Sequence, residues 1–124
     1  MLLRPAIRSD VALIKRCASL LSNPSCPENG KPSDRCWYVG EQRGVIVGAI
    51  ATDRGNHLSW AVLPEFQHTD YARRMVSLIA QSGFRTRIRN GDEASSEVAR
   101  QAGFECKHTG ETEVWEAVNV EDYV

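Results

Sequence analysis

One stretch of the sequence determines the local architecture more than any other: Leu58 to Ser82, which reads LSWAVLPEFQHTDYARRMVSLIAQS. Its apolar start, Leu58 to Leu63, predicts a buried strand, and Pro64 ends that strand because its ring removes a backbone donor. After a polar turn, Asp70 lies where a helix N-cap is expected, and apolar residues then recur at helical spacing up to Gly83. The stretch therefore predicts a strand, a tight loop and a helix, and the N–H groups at the start of that helix favour an anionic ligand.

The same stretch resembles a known motif. Val62 to Ala72, with the pattern V-x-P-E-F-Q-x-x-D-x-A, resembles the acetyl-CoA signature of the GNAT superfamily of N-acyltransferases. In that signature an apolar strand is followed by V-x-P-E-[FY], by [RQ]-x-x-G-x-[GA] and by a helix. Gln67 and Ala72 match the first and last marked loop positions, whereas Asp70 replaces the central glycine.

Composition limits the class of protein. The 124 residues suffice for one domain with its own core, so we expect a single domain over residues 1–124. A net charge of -1 gives no reason to expect nucleic-acid or membrane binding. No apolar run approaches the roughly 18 residues of a membrane span, and the N-terminus lacks the apolar centre of a signal peptide, so we expect a cytoplasmic location. The four cysteines have neither C-x-x-C nor metal-like spacing, which favours reduced thiols over disulfides or a metal site.

Hydrophobic periodicity predicts the other elements. The predicted order is β-α-β-β-β-α-β-α-β-β, which is that of an α/β (α+β) chain. The resemblance to the GNAT superfamily implies a mixed, mostly antiparallel central sheet flanked by helices. Pro5 suits only an edge strand, and the apolar run Val45 to Ile50 suits a strand covered on both faces. The predicted elements outside the first stretch are a strand Leu2 to Ile7, a helix capped by Ser9 or Asp10, strands Cys36 to Glu41 and Val45 to Thr52, strand Phe84 to Arg89, a helix from Asp92 to Gly103, and strands Phe104 to His108 and Thr112 to Val118.

This order resembles the GNAT fold over nearly the whole chain, with the specific residues concentrated in 58–74. The opening LRPAIRSDVALI and the sequence AGFE at Ala102 to Glu105 resemble the usual GNAT start and the residues after the last helix. One GNAT element is not predicted, because three prolines within residues 23–34 argue against the second helix that borders the acceptor site. We therefore expect a shortened acceptor wall, and either a more open site or one that a second subunit of a homodimer completes.

The resemblance implies an N-acetyltransferase that moves an acetyl group from acetyl-CoA to a primary amine by direct attack. It implies that the pantetheine arm lies against the backbone of Ala61, Val62 and Leu63, with Phe84 to Arg89 opposite. It also implies that the pyrophosphate binds the loop and helix start, with contacts at Gln67, His68, Thr69, Asp70, Tyr71, Ala72 and Arg73. We expect the carboxylate of Asp70 to weaken CoA binding unless it turns away to cap the helix.

Aminolysis of a thioester needs a neutral amine, a donor for the oxyanion and a proton for the leaving thiolate. A backbone N–H near Val62 is the expected oxyanion donor. His57, early on the same strand, is the first candidate base because an imidazole is the side chain suited to exchange protons near neutral pH, and Glu41 is the second. Many GNAT members carry a tyrosine acid on the last helix, but Ala99 occupies that position here. The acid is then water or Ser95, or the protein is a poor catalyst.

Two other classes of function stay open. Asp70 and Ala99 favour a GNAT-like acyl-CoA-binding or regulatory module without efficient catalysis, and an interaction protein that binds no CoA is the third hypothesis. The row Arg85, Arg87 and Arg89 is interpreted as a solvated strand face, with binding of nucleic acid or of the adenosine phosphate of CoA as the alternative. The acceptor amine is not readable from the sequence, and polyamines, aminoglycosides, amino acids and protein N-termini are all candidates.

Overall fold

The computed structural model describes residues 1–18, 36–53, 55–67, 70–80 and 83–117. The helices and strands in these residues follow the predicted order, and two short 3-10 turns precede α1 and α2. The expected loop at residues 23–34, and the acceptor wall with it, lies outside the described residues. The elements are β1 (Leu2–Pro5), α1 (Val11–Ala18), β2 (Cys36–Gln42), β3 (Val45–Thr52), β4 (Leu58–Val62), α2 (Tyr71–Ile79), β5 (Arg85–Arg89), α3 (Glu93–Gln101), β6 (Phe104–His108) and β7 (Thr112–Ala117).

The strands form two antiparallel sheets, in the orders β1-β2-β3-β4 and β5-β7-β6. β1 is an edge strand and Pro5 is its last residue, so the missing proline donor disrupts no inner ladder. β3 is an inner strand. It is buried from Val47 to Thr52, whereas Val45, at the start of the predicted apolar run, is exposed.

The two sheets meet at one junction, where β4 and β5 begin. Arg85 N–H donates to the Asn56 carbonyl oxygen at 2.8 Å, and the buried Thr86 hydroxyl donates to the Leu58 carbonyl oxygen at 2.9 Å. Within these two strands no ladder continues past the junction. β4 and β5 therefore diverge, which leaves one edge of β4 without a neighbouring strand in the part of the chain that the structure describes.

Apolar residues cover β4 on both faces. Ala61 packs in a cluster that includes Cys17 of α1, whereas Trp60 packs in a larger cluster with Met75 of α2 and Ala99 of α3. Successive residues of a strand point to opposite faces, so α1 lies on one side of the sheet and α2 and α3 lie on the other. Trp60 is buried in packing, as expected from the sequence.

Two glycines let α2 lie close to the sheet. A Cβ on Gly40 would lie 2.5 Å from the Met75 sulfur, and a Cβ on Gly48 would lie 2.9 Å from the Met75 methyl. The Gly48 Cβ would also lie 2.3 Å from the carbonyl oxygen of Ala61. The absence of a Cβ at Gly48 therefore allows both α2 and β4 to lie close to β3.

The helix ends differ from the predictions in two respects. The sequence predicts that α2 reaches Gly83, but α2 ends at Ile79 because Ala80 is extended, with φ -62° and ψ 119°. Asp70 occupies the N-cap position of α2, yet its side chain makes no capping hydrogen bond. Asp92 does cap α3, as predicted, and accepts from the Ser95 N–H at 3.2 Å.

Candidate functional site

A groove of about 610 Å³ lies beside β4, within the usual size of a small-molecule site. Its walls are the end of β4, the loop and first turn that lead into α2, and one face of α3. The lining residues are Trp60, Ala61, Val62, Phe66, Gln67, Asp70, Ala72, Arg73, Ala94, Ser95, Glu97, Val98 and Gln101.

The open edge of β4 turns its backbone toward this groove. Leu63 N–H donates to the Val47 carbonyl oxygen of β3 at 2.9 Å. Hydrogen bonds alternate along an antiparallel pair, so Ala61 also faces β3, while Trp60 and Val62 direct their N–H groups away from it. Among the described residues no acceptor meets those two N–H groups on that side.

Of the three residues predicted to bind a ligand through the backbone of β4, only two therefore line the groove. Val62 and Ala61 line it, whereas Leu63 is buried and uses its N–H within the sheet. Trp60 presents its backbone to the groove and was missed by the sequence reasoning. The signal that identifies Trp60 is the period-two alternation of paired and open backbone groups, counted from Leu63.

The loop and the start of α2 form the polar end of the groove. Gln67 Nε2 donates to the Val62 carbonyl oxygen at 3.3 Å. Asp70 Oδ2 lies 2.9 Å from Arg73 Nη2 and 3.1 Å from Arg74 Nε. Tyr71 does not line the groove but packs edge-on against Phe66, with ring centroids 6.1 Å apart. The predicted contacts His68 and Thr69 lie outside the described residues.

His57, the first candidate base, does not line the groove. It precedes Val62 by five positions, which is about 16 Å along a strand. Its Nδ1 lies 3.3 Å from Asp53 Oδ1, and the same carboxylate oxygen accepts the backbone N–H groups of Gly55 and His57 at 2.8 and 2.9 Å. Asp53 therefore holds the imidazole in the turn between β3 and β4.

Glu41, the second candidate base, belongs to an ion-pair cluster elsewhere. Arg4 Nε donates to Glu41 Oε1 at 2.9 Å, and Arg4 Nη1 donates to Asp10 Oδ2 at 2.9 Å. The Asp10 carboxylate also accepts the Ile7 N–H at 2.8 Å. The hydrogen bonds from Arg4 and Ile7 lower the pKa of Asp10, and those to Asp10 and Glu41 raise the pKa of Arg4. This cluster joins β1, β2 and the turn before α1, so Glu41 has a structural partner and lies away from the groove.

No model of a known protein family and no curated protein sequence matches the chain. Solved structures match it over nearly its full length. A chimera of the spermidine N-acetyltransferase SpeG from Vibrio cholerae and hSSAT matches with a TM-score of 0.75 and 10% identity, covering 100% of both chains. A domain from Methanocaldococcus jannaschii gives 0.67 and 17%, covering 96% of this chain and 97% of its own. The ribosomal-protein-alanine N-acetyltransferase from Brucella melitensis gives 0.65 and 16%, covering 93% and 96%. The chain has the GNAT fold.

On this GNAT fold, Ser95 is the one predicted catalytic candidate that lines the groove. Its side chain is buried, and its hydroxyl donates to Asp92 Oδ2 at 2.7 Å. Ala99, at the position of the expected tyrosine, is fully buried in the apolar cluster behind α3. The described part of this GNAT fold therefore supplies a hydroxyl at the groove but no phenol from α3.

Two features are absent from the described residues. No three His, Cys, Asp or Glu side chains in that part of the chain are grouped to hold a metal ion. No helix there combines the length and the apolar composition needed to cross a membrane.

Proposed function

We propose that the protein is an N-acetyltransferase that moves an acetyl group from acetyl-CoA to a primary amine by direct attack. The observation that carries this proposal is the divergence of β4 from β5 beside a groove that ends at the first turn of α2. A ligand with amides along its length and phosphates at one end is complementary to that arrangement. An open strand edge pairs with amides, and a helix start with nearby arginines binds phosphates.

The residues present fit such a ligand. The N–H groups of Trp60 and Val62 are directed at the groove, and Gln67 and Arg73 line its polar end. Acetyl-CoA supplies an activated acetyl thioester when it is bound. The Val62 N–H is then the donor available to a carbonyl oxygen beside β4, and the Ser95 hydroxyl, which lines the groove, is the proposed source of a proton.

A second candidate function is an acyl-CoA-binding or regulatory module without efficient catalysis. The specific observation that favours it is the placement of the acid–base candidates. Glu41 is bonded to Arg4, His57 is held by Asp53 outside the groove lining, and Ala99 is buried. General acid–base groups contribute roughly 10²–10⁴-fold to rates, so a groove that keeps only Ser95 of the three predicted catalytic candidates would leave binding with slow turnover.

The acceptor is proposed only as a class, a primary amine on a small molecule or a peptide. Two of the matching structures are named as a spermidine N-acetyltransferase and as a ribosomal-protein-alanine N-acetyltransferase. A polyamine and a peptide with a free N-terminal alanine are therefore the first acceptors to test. A cytoplasmic homodimer is part of the same proposal, and β1 offers an exposed edge for it at Leu2.

The proposal is tested by calorimetry with CoA, followed by release of free thiol from acetyl-CoA across an acceptor panel. The panel contains spermidine, alanine-terminated peptides, an aminoglycoside and free amino acids, with a no-acceptor control for hydrolysis. We expect CoA binding and acceptor-dependent thiol release. Absence of binding at millimolar CoA overturns both candidate functions, whereas binding without thiol release leaves the binding module.

A further inference from the structure

Asp70 lies at the start of α2 without serving as its cap. Its carboxylate accepts from Arg73 Nη2 at 2.9 Å and lies 3.1 Å from Arg74 Nε, and it makes no hydrogen bond to a helix N–H. Asp70 and Arg73 both line the groove. The carboxylate thus pairs with Arg73, which lines the groove, and with the adjacent Arg74, and it leaves the Ala72 and Arg73 N–H groups without a side-chain cap.

The ion pairs of Asp70 are weak enough to exchange. The side chains of Asp70, Arg73 and Arg74 are 45%, 41% and 46% exposed. Exposed pairs of this kind change an equilibrium constant by no more than about fivefold. A diphosphate carries more charge and more acceptor oxygens than one carboxylate, and it can bind the arginines and the uncapped N–H groups together.

We propose that Asp70 occupies the phosphate subsite, and that its carboxylate is the anion that the pyrophosphate of CoA displaces from Arg73 and Arg74. This inference rests on the proposed function, because it names the residue that sets phosphate affinity at the same groove. Asp70 then lowers affinity for phosphorylated ligands and has no effect on ligands without phosphate. Only a ligand that brings a strong anion releases the two arginines.

The other carboxylates near this end of the groove are held elsewhere. Glu65, on the same loop, pairs with Arg16 of α1 at 2.7 Å. Glu97 of α3 lines the groove but bonds to Arg100 and, at 2.8 Å, to Gln101. Asp70 is therefore the groove-lining carboxylate in contact with Arg73, and Glu65→Gln provides a charge-matched control that leaves the Asp70 cluster intact.

The test is calorimetry on the full chain with CoA, inorganic pyrophosphate and pantetheine. We expect Asp70→Asn to bind CoA and pyrophosphate with a Kd about fivefold lower than that of the unmodified protein. Pantetheine affinity should not change, and Glu65→Gln should behave as the unmodified protein. Raising the salt concentration should shrink the effect, because the charges are exposed.

A mutant cycle separates displacement from simple charge repulsion. If Asp70 competes for the arginines, Asp70→Asn should tighten CoA binding less in an Arg73→Gln/Arg74→Gln background than in the unmodified protein. An equal gain in both backgrounds, or an unchanged or weaker CoA affinity in Asp70→Asn alone, overturns this inference and leaves the proposed function standing. Absence of CoA binding to the unmodified protein and to all variants overturns both.

Discussion

At the scale of single residues, the acid–base candidates divide into those that hold the fold and those that face the groove. His57 is bonded to Asp53, which also accepts two backbone N–H groups of the same turn. Glu41 is bonded to Arg4. Because each of these contacts helps to hold the fold, substitution of either residue can lower the activity indirectly. A catalytic role therefore requires a loss of activity larger than such a structural disturbance would cause.

For His57, the size of the kinetic effect distinguishes the two roles. A general base contributes roughly 10²–10⁴-fold to a rate. Because His57 does not line the groove, we expect His57→Gln to lower kcat/KM by less than about tenfold and to leave the Kd of CoA unchanged. Steady-state kinetics over a pH series is the measurement. A loss of a hundredfold or more, with the low-pH limb of the profile abolished, would make His57 the base.

Asp10 controls a pH-dependent part of the stability. Its carboxyl is buried and bonded to Arg4 and Ile7, so its pKa in the folded protein lies below the ordinary 3.8. A lowered folded-state pKa means that the stabilisation is complete above the unfolded value and is lost as pH falls through the folded one. We expect Asp10→Asn to be less stable than the unmodified protein at neutral pH, and the difference to shrink below about pH 4.

Urea denaturation midpoints between neutral pH and pH 2 measure this effect. Glu105→Gln is the matched control, because Glu105 pairs with Lys107 at the surface, with both side chains 47% exposed. A constant difference between Asp10→Asn and the unmodified protein across the whole range would contradict the assignment.

At the scale of elements, type and order were readable from the sequence, but the role of one cap was not. Two aspartates precede helices. Asp92 is followed at the third position by Ser95, which shares its carboxylate, and it caps α3. Asp70 is followed at the third and fourth positions by Arg73 and Arg74. Their guanidinium groups pair with its carboxylate, which therefore does not bond the backbone N–H groups of the helix. An aspartate predicts a helix start, but the residues three and four positions later decide whether it caps.

The candidate site was harder to predict, because it depends on pairing between distant segments. The strand, loop and helix of residues 58–80 follow from local pattern. Which backbone groups of β4 are open depends on the register with β3, fixed by the bond from Leu63 to Val47. A slip of one residue in this register would turn each open backbone group of β4 toward β3 and each paired group away from it. The sequence reasoning therefore grouped Leu63 with Ala61 and Val62, although Leu63 is paired with Val47 and the Trp60 N–H lies on the open edge.

The docking of α2 on β3 yields a prediction at the same scale. A Cβ at residue 48 meets backbone, the Ala61 carbonyl oxygen at 2.3 Å, whereas a Cβ at residue 40 meets only side-chain atoms, of which the nearest is the Met75 sulfur at 2.5 Å. We expect Gly48→Ala to destabilise the protein by about 1–3 kcal/mol, as overpacking does, and to weaken CoA binding by displacing β4. Gly40→Ala should destabilise the protein less than Gly48→Ala and should leave the CoA affinity unchanged.

Denaturation curves and calorimetry on both glycine variants provide the measurement. The comparison is informative because both substitutions add one methyl group to the same face of neighbouring strands. Equal losses of stability and of CoA affinity in the two variants would show that the contact with Met75, and not the position of β4, controls the groove.

At the scale of the whole molecule, the proposed activity depends on one junction between two sheets. The two sheets stay together where β4 and β5 begin and separate where β4 ends. The groove lies beside the separated part, and its far wall is α3, which packs in the same apolar cluster as α2 and β4. Loosening the junction should therefore change the groove without removing any residue that lines it.

Thr86 tests this dependence, because its buried hydroxyl bonds the Leu58 carbonyl oxygen across the junction. Thr86→Val keeps the shape and loses this bond, which is worth about 0.5–1.5 kcal/mol, whereas Thr86→Ser keeps the hydroxyl. We expect faster hydrogen exchange at the adjacent Arg85 N–H, the donor to Asn56, and weaker CoA binding in Thr86→Val but not in Thr86→Ser. Equal exchange rates and equal CoA affinities in the two variants would show that apolar packing behind the junction holds the sheets together. The opening between β4 and β5 would then not depend on the bond from Thr86 to Leu58.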